Sequence, residues 1–582
     1  MFIVLRKLGW FFRLEWKRYA IAVPLLVLVG FLDIIPPKLV GDSVDLIHQG
    51  LLTREIMIRT LLLLGGLTIL NYVISYVWMS RLFGGAFVVE RMLRSRLMRH
   101  LLRMTPSFYE KHRTGDLMAR ATNDLKDVSV TAGFGILTLV DSTLWALTLV
   151  VVMAVFVSWK LTLAALVPLP ILAVCIQLFG KWIHERFKQA QDAFGDMNDR
   201  VLETVSGIRV NRAYVRERAT EKEFADITCD VLDKNLAVAR IDALFEPAVK
   251  ILVGCSYLIG IGYGTYMVFH HELTVGGLVT FNVYLGMMIW PMFAIGELIN
   301  VMERGNASLD RVNETLAAVP DVTESPDAER ADEAGTIVFD RVTFRYPSSE
   351  TDNLKEISFT LKQGQTLGIV GRTGSGKTTL IRQLLREYPP GQGTITISGK
   401  RLETVAFDDL KRWIGYVPQQ PFLFSRTIRE NILFASDHVP EERLEEAVEL
   451  AAFRKDLEFL PDGLETLVGE KGVALSGGQK QRISIARALV KDPEILLLDD
   501  ALSAVDAKTE AEIIRNIRRA RAGKTTLIVS HRISAVQHAD HIIVLDEGRI
   551  VEEGNHETLL ARGGWYREQY QRQLSEAYSE GA

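Results

Sequence analysis

Hydrophobic and polar positions divide the chain into two unlike halves. Through residues 1–305 long apolar runs alternate with basic stretches, whereas from 335 to 582 short apolar runs alternate with helical periods. Six segments of the first half are apolar and long enough to cross a bilayer core, which takes about 20 helical residues. They lie near 19–42, 58–82, 132–157, 161–182, 246–270 and 274–300. Short turns around Ser158-Trp159-Lys160 and His270-His271-Glu272 join the third segment to the fourth and the fifth to the sixth. The second-to-third and fourth-to-fifth connections are long and basic, with Arg91, Arg94, Arg99 and Arg103 in one and Arg186, Arg200, Arg209 and Arg212 in the other. The positive-inside rule puts both connections, and the N-terminus, in the cytoplasm. Both read as helix continued out of the membrane and broken near Arg113-Thr-Gly-Asp116 and Ser206-Gly-Ile-Arg209. Residues 1–18 alternate apolar and basic positions, the pattern of an amphipathic helix lying on the inner membrane surface. Their apolar run is too short, and lacks the small-residue site, for a cleavable signal peptide.

Polar residues inside the apolar segments refine this picture. Asp33 and Asp141 fall at membrane depth, with Glu246 and Glu297 near the inner edge. Such carboxylates suit contact with a cationic substrate, and equally suit pairing within the bundle or facing a wet cavity. Prolines 36, 37, 168, 170, 247 and 291 predict kinks. Tyr72, Tyr76, Trp78, Tyr284 and Trp290 suit packing or an interfacial belt, and secondarily a cavity wall. Cys175, Cys229 and Cys255 lack pairing or metal-ligand spacing and read as unpaired packing residues. Residues 306–334, with Pro320, Pro326 and a charged run, read as a linker between a membrane domain, 1–305, and a soluble domain, 335–582.

In the second half an apolar strand, Thr366–Val370, leads into Gly371-Arg-Thr-Gly-Ser-Gly-Lys-Thr-Thr379, and a helical period follows. This is the phosphate-binding loop in the strand–loop–helix context it requires. Gly371, Gly374 and Gly376 let the backbone curl so that N–H groups, including those of Thr373 and Ser375, point at phosphate oxygens. The helix that begins at Lys377-Thr378-Thr379 adds partial positive charge. Lys377 is placed to reach the outer phosphates and Thr378 to ligate Mg²⁺.

Further motifs follow in order: Gln419 within Tyr416-Val-Pro-Gln-Gln-Pro-Phe-Leu-Phe424, Leu475-Ser-Gly-Gly-Gln479, Ile495-Leu-Leu-Leu-Asp499, Ser503-Ala-Val-Asp506 and Ser530-His-Arg532. The ordered set resembles the ATP-binding cassette (ABC) transporters, and six spans before one cassette resemble a half-size exporter along essentially the whole chain. Val468-Gly-Glu-Lys-Gly472 resembles an exporter-specific loop that touches the membrane domain. The implied fold is a multidomain membrane protein: an all-α six-helix transmembrane domain plus an α/β phosphate-loop ATPase domain. The resemblance implies that Tyr346 stacks on adenine, that Thr378, Gln419 and Asp499 surround Mg²⁺, and that His531 meets the γ-phosphate. It further implies that Ser476, Gly477, Gly478, Gln479 and Asp506 serve ATP held by a facing cassette. The chain carries one cassette, so it must dimerise.

One residue departs from the family pattern. The position after Asp499 is normally glutamate, which orients or deprotonates the attacking water, and here it is Asp500. A carboxylate one methylene short predicts ATP binding with poor hydrolysis. The intact signature would still complete a partner's site, as in the bacterial heterodimeric multidrug-type exporters. The expected activity is therefore ATP-driven export of drugs or other amphipathic compounds beside a second, different half-transporter. The expected location is a multi-pass position in a bacterial cell (inner/plasma) membrane, with the cassette cytoplasmic. The alternatives are a homodimeric exporter of lipid or peptide and a nucleotide-gated channel or sensor on the same fold. Six spans exclude a soluble nucleic-acid-acting ATPase, and a net charge of −4 gives no polyanion signal.

Overall fold

The structure is a computed structural model and describes residues 3–326, 328–330, 332–436, 438–469 and 475–580. It has two compact units: Met1–Leu102 with Thr114–Ala318, and Arg103–Arg113 with Val319–Ala582.

The first unit is helical. Among the described residues, five helical runs are long and apolar enough to cross a membrane: Trp16–His48, Arg54–Leu101, Thr114–Leu166, Glu217–Phe269 and Val275–Ala317. The expected segment 161–182 follows a turn at Ser158 and is divided at Val167 between Trp159–Leu166 and Pro168–Ser206. Its first turns belong to the run that ends at Leu166, and Pro168 opens the next helix, Pro168–Ser206. Several side chains there, like that of Glu246, lie outside the described residues. The expected turn at Ser158 is present: its backbone is extended, φ −165°, and its Oγ accepts from the Leu161 N–H at 3.4 Å. The expected break at Gly207 separates Pro168–Ser206 from Ile208–Ala213.

Close backbone approach locks Trp16–His48 to Val275–Met287. A Cβ on Gly276 would sit 1.9 Å from the Gly41 carbonyl oxygen, so only glycine permits this crossing. Thr280 Oγ1 donates to the Pro37 carbonyl at 3.2 Å across the same interface. Three π-helical turns, Arg120–Asp124, Asp141–Trp145 and Met153–Ser158, interrupt the run 114–166. Asp141 accepts from Trp290 Nε1 at 2.8 Å, and Asp33 accepts from the Asn71 amide. Both aspartates line one cavity of about 190 Å³, with Phe31, Trp145 and Trp290 in its wall.

The start and the end of this unit add to the expectations. The amphipathic start forms two short helices, Ile3–Lys7 and Gly9–Leu14, and Val4, Leu8 and Phe11 are fully buried among Val89, Leu93 and Met302. Their spacing makes one stripe that packs on the bundle, while Ile3, Trp10, Leu14 and Trp16 of the same stretch stay exposed. The expected linker, 306–334, begins as helix, because Val275–Ala317 continues past residue 305. Leu309 and Val312 join the same cluster, and Arg311 Nε donates to Asp124 at 2.9 Å, so polar composition there marks a helix face.

The second unit also takes in residues 103–113, which the sequence assigns to the membrane domain. Phe108 of the helix Pro106–Lys111 is buried, Ser107 and Thr105 donate to Asp321, and Glu110 accepts from the Tyr388 hydroxyl. Among the described residues ten strands follow: β1 Ile337–Phe344, β2 Leu354–Leu361, β3 Thr366–Gly371, β4 Gln392–Ile397, β5 Lys400–Arg401, β6 Ile414–Val417, β7 Ile495–Asp499, β8 Thr525–Val529, β9 His541–Asp546 and β10 Arg549–Gly554. An antiparallel sheet runs β2-β1-β4-β5, and a second runs β10-β9-β3-β8-β7-β6, parallel except at β10. β3, β7 and β8 are mostly apolar, and every residue in them but Thr366 is buried, as a parallel sheet between helical layers requires.

Candidate nucleotide site

Ligands of parallel α/β sheets bind beyond the C-terminal ends of the strands. Here β3 ends at Gly371, β7 at Asp499, and β8 runs two residues short of His531. β6 pairs Val417 with Leu498, which puts Gln419 at the same edge, where it is exposed.

The loop after β3 has the backbone that the glycines predict. Gly371, Gly374 and Gly376 have φ of +149°, +82° and +100°, values that other residues rarely adopt. A Cβ on Gly371 would sit 2.0 Å from the Leu545 carbonyl oxygen, whereas one on Gly374 meets open space. Lys377, buried at the start of the helix Lys377–Leu384, donates from Nζ to the carbonyls of Gly371 at 2.9 Å and Arg372 at 2.8 Å. Burial lowers its pKa, and the carboxylates of Asp500 and Asp499 oppose that shift.

Thr378 Oγ1 donates to Asp499 Oδ1 at 3.0 Å. Asp499 is 1% exposed, and its Oδ2 is buried without a hydrogen-bond partner; Ser375 Oγ is in the same condition. Burying a carboxylate oxygen without a partner is costly, and burial duly raises the Asp499 pKa. The pair Thr378–Asp499 thus fits a hard divalent cation that takes oxygen ligands. Tyr416, which sequence reasoning quoted without a role, lies here too; burial and the nearby Asp499 charge keep its phenol protonated.

Tyr346 meets Phe344 and Tyr388 edge-on, with ring centroids 5.0 Å away in each case, and its hydroxyl donates to Thr379 Oγ1 at 3.2 Å. Asp500 takes the left-handed backbone, φ +47°, fixed by its N–H to the Val529 carbonyl at 2.9 Å and by Ser503 Oγ to its own carbonyl at 2.9 Å. His531 is half-buried, and burial and the Lys377 charge both lower its pKa, which keeps the ring neutral.

The remaining motif residues have local structural duties. Ser476 and Gln479 form a reciprocal capping box on the helix Gly477–Leu489, and Gln479 Nε2 donates to Asp456 at 3.1 Å. Gly478 backs onto the Ala504 carbonyl, 2.9 Å from where a Cβ would lie. Asp506 caps Ala507–Ala520 by accepting from Lys508 and Thr509, which lowers its pKa. Ser476 and Gly477 are exposed. Gln481 ties this helix to the loop after β7, donating to Ser503 Oγ at 3.0 Å and accepting from the Ala504 N–H at 2.9 Å. Of the expected exporter-specific loop, Glu470, Lys471 and Gly472 lie outside the described residues.

Residues 19–292 match the family described as ABC transporter transmembrane region, and 354–503 match the family described as ABC transporter. The chain is 60% identical to the "Probable multidrug resistance ABC transporter ATP-binding/permease protein YheI" of Bacillus subtilis, over all of this chain and 99% of that one. It is 43% identical to the "Multidrug resistance-like ATP-binding protein MdlA" of Escherichia coli, over 98% of this chain and 97% of that one. It superposes on the structure of a bacterial Atm1-family ABC exporter with ATP bound with a TM-score of 0.81 and 26% identity, over 96% of this chain and 99% of that one. The parallel sheet with its phosphate loop, the apolar helical unit before it and these likenesses lead to one assignment: the chain belongs to the ABC transporters, a transmembrane domain fused to an ATP-hydrolysing cassette in the half-transporter exporter fold.

Proposed function

We propose that the chain is one half of a heterodimeric exporter of amphipathic compounds, and that its own site holds ATP while a partner's site hydrolyses it. Tyr346 offers its face to the adenine. The N–H groups of the loop 371–379 and Lys377 bind the phosphates, and His531 meets the γ-phosphate. Thr378, Asp499 and Gln419 hold Mg²⁺, which neutralises phosphate charge when bound. Ser476 and Gly477, exposed on a helix N-terminus, and Gly478 behind them meet the nucleotide of the facing cassette, with Gln479 and Asp506 holding that surface in shape.

The observation that carries the reading is Asp500. Its backbone is fixed on both sides, so it cannot advance to recover the missing methylene. The Asp33 and Asp141 cavity, polar at those residues and Thr148 and otherwise lined by aliphatic and aromatic side chains, favours amphipathic cargo with a cationic group. ATP binding clamps two cassettes, and the differential affinity for the clamped state turns the bundle. Purification from native bacterial membranes is expected to bring a second, different half-transporter with the chain. Brisk ATPase activity from the self-paired chain, abolished by Asp500→Asn, would defeat the proposal.

A further inference from the structure

We infer that Gln573, on the C-terminal helix Trp565–Glu580, is a positioning residue that sets His531 against the γ-phosphate. The inference rests on the role proposed above for His531. The side-chain amide of Gln573 grips the switch loop on both sides of Arg532: Nε2 donates to the His531 carbonyl at 2.8 Å, and Oε1 accepts from the Ile533 N–H at 2.8 Å. Two bonds from one planar amide fix the loop's position and its rotation together.

Arg532 ties the same loop to other elements. The Arg532 N–H donates to Ser530 Oγ at 3.0 Å, and its guanidinium reaches the Val505 carbonyl at 3.0 Å and the Glu510 carboxylate. The C-terminal helix is itself anchored without Gln573. Tyr566 is fully buried in the core of the second unit, and its hydroxyl meets His556 Nδ1 at 2.8 Å. Gln573 can therefore be changed while the helix stays docked, so the helix serves as a fixed post from which one amide aims the histidine.

The test uses the full chain in lipid nanodiscs, with fluorescent MANT-labelled Mg-ATP and Mg-ADP as probes. His531 is assigned to the γ-phosphate, which ADP lacks, so the informative quantity is the ratio of the two affinities. Gln573→Ala is expected to lower the ATP-over-ADP preference about three- to tenfold, the worth of one or two hydrogen bonds, with ADP affinity kept. Gln573→Glu preserves the shape and the Ile533 bond but aims an oxygen at the His531 carbonyl, and it is expected to lower the preference at least as far. His531→Ala/Gln573→Ala is expected to match His531→Ala alone, because both act through one contact. An unchanged preference in Gln573→Ala and Gln573→Glu beside a lowered one in His531→Ala overturns the inference, and so does full additivity in the double variant. If His531→Ala itself leaves the preference unchanged, the role of His531 fails first, and the Gln573 inference fails with it.

Discussion

Replacing Asp500 with glutamate restores one methylene at a fixed backbone position. The Val529 and Ser503 hydrogen bonds hold residue 500 in place, so the added reach goes entirely to the carboxylate. A displacement of about 1 Å at a reacting group is worth about 100-fold, which corresponds to about 2.7 kcal/mol of barrier. A counter-effect is also built in. At φ +47° aspartate is tolerated better than glutamate, so the substitution is expected to cost up to about 1 kcal/mol of stability. The chain is reconstituted with the second half-transporter proposed above, whose own catalytic carboxylate is replaced by the amide, so that only this site can turn over. Phosphate release from Asp500→Glu is expected to exceed that from the unaltered chain by one to two orders of magnitude, with ATP affinity unchanged. Equal rates would refute the reasoning, since they would mean that reach does not limit hydrolysis here.

Two further outcomes concern stability. Gly371→Ala puts a Cβ 2.0 Å from the Leu545 carbonyl oxygen at a glycine-favouring φ, and a loss of about 3 kcal/mol with abolished nucleotide binding is expected, read by thermal unfolding and MANT-ATP titration. Burial, with Arg518 nearby, lowers the His538 pKa from 6.5 to about 4. The folded ring stays neutral while the unfolded one takes a proton, so its stabilising contribution is full above pH 6.5 and fades as pH falls toward 4. That amounts to about 3 kcal/mol, and pH-dependent unfolding of His538→Gln is expected to show a correspondingly shallower acid slope.

The parts of this molecule written in contiguous residues were legible in its sequence. A phosphate loop is one strand end, one turn and one helix start, and its glycine φ values follow from residue type. The apolar strand ending in Asp499 announced a buried carboxylate for the same local reason. Features that depend on distant partners were not legible. Residues 306–317 look like a linker by composition, and only the packing of Leu309 and Val312 on the bundle makes them helix. Residues 103–113 carry no mark of belonging with the cassette, because Ser107 and Glu110 find their partners, Asp321 and Tyr388, hundreds of residues away. The π-helical turn at Asp141–Trp145 has no signature in residue type, since packing sets it. Gln573 is one glutamine among many polar positions until the fold brings it to the switch loop.

The central claim is that the two ends of this cassette serve different sites, one idle and one active. The most direct measurement is steady-state phosphate release by the assembled transporter carrying Asp500→Asn or Ser476→Ala in this chain. Asp500→Asn is expected to leave turnover near that of the unaltered complex, whereas Ser476→Ala, which removes a hydroxyl from the site proposed for the partner, is expected to lower it severalfold or more. Loss of turnover in Asp500→Asn, with Ser476→Ala unaffected, would contradict it.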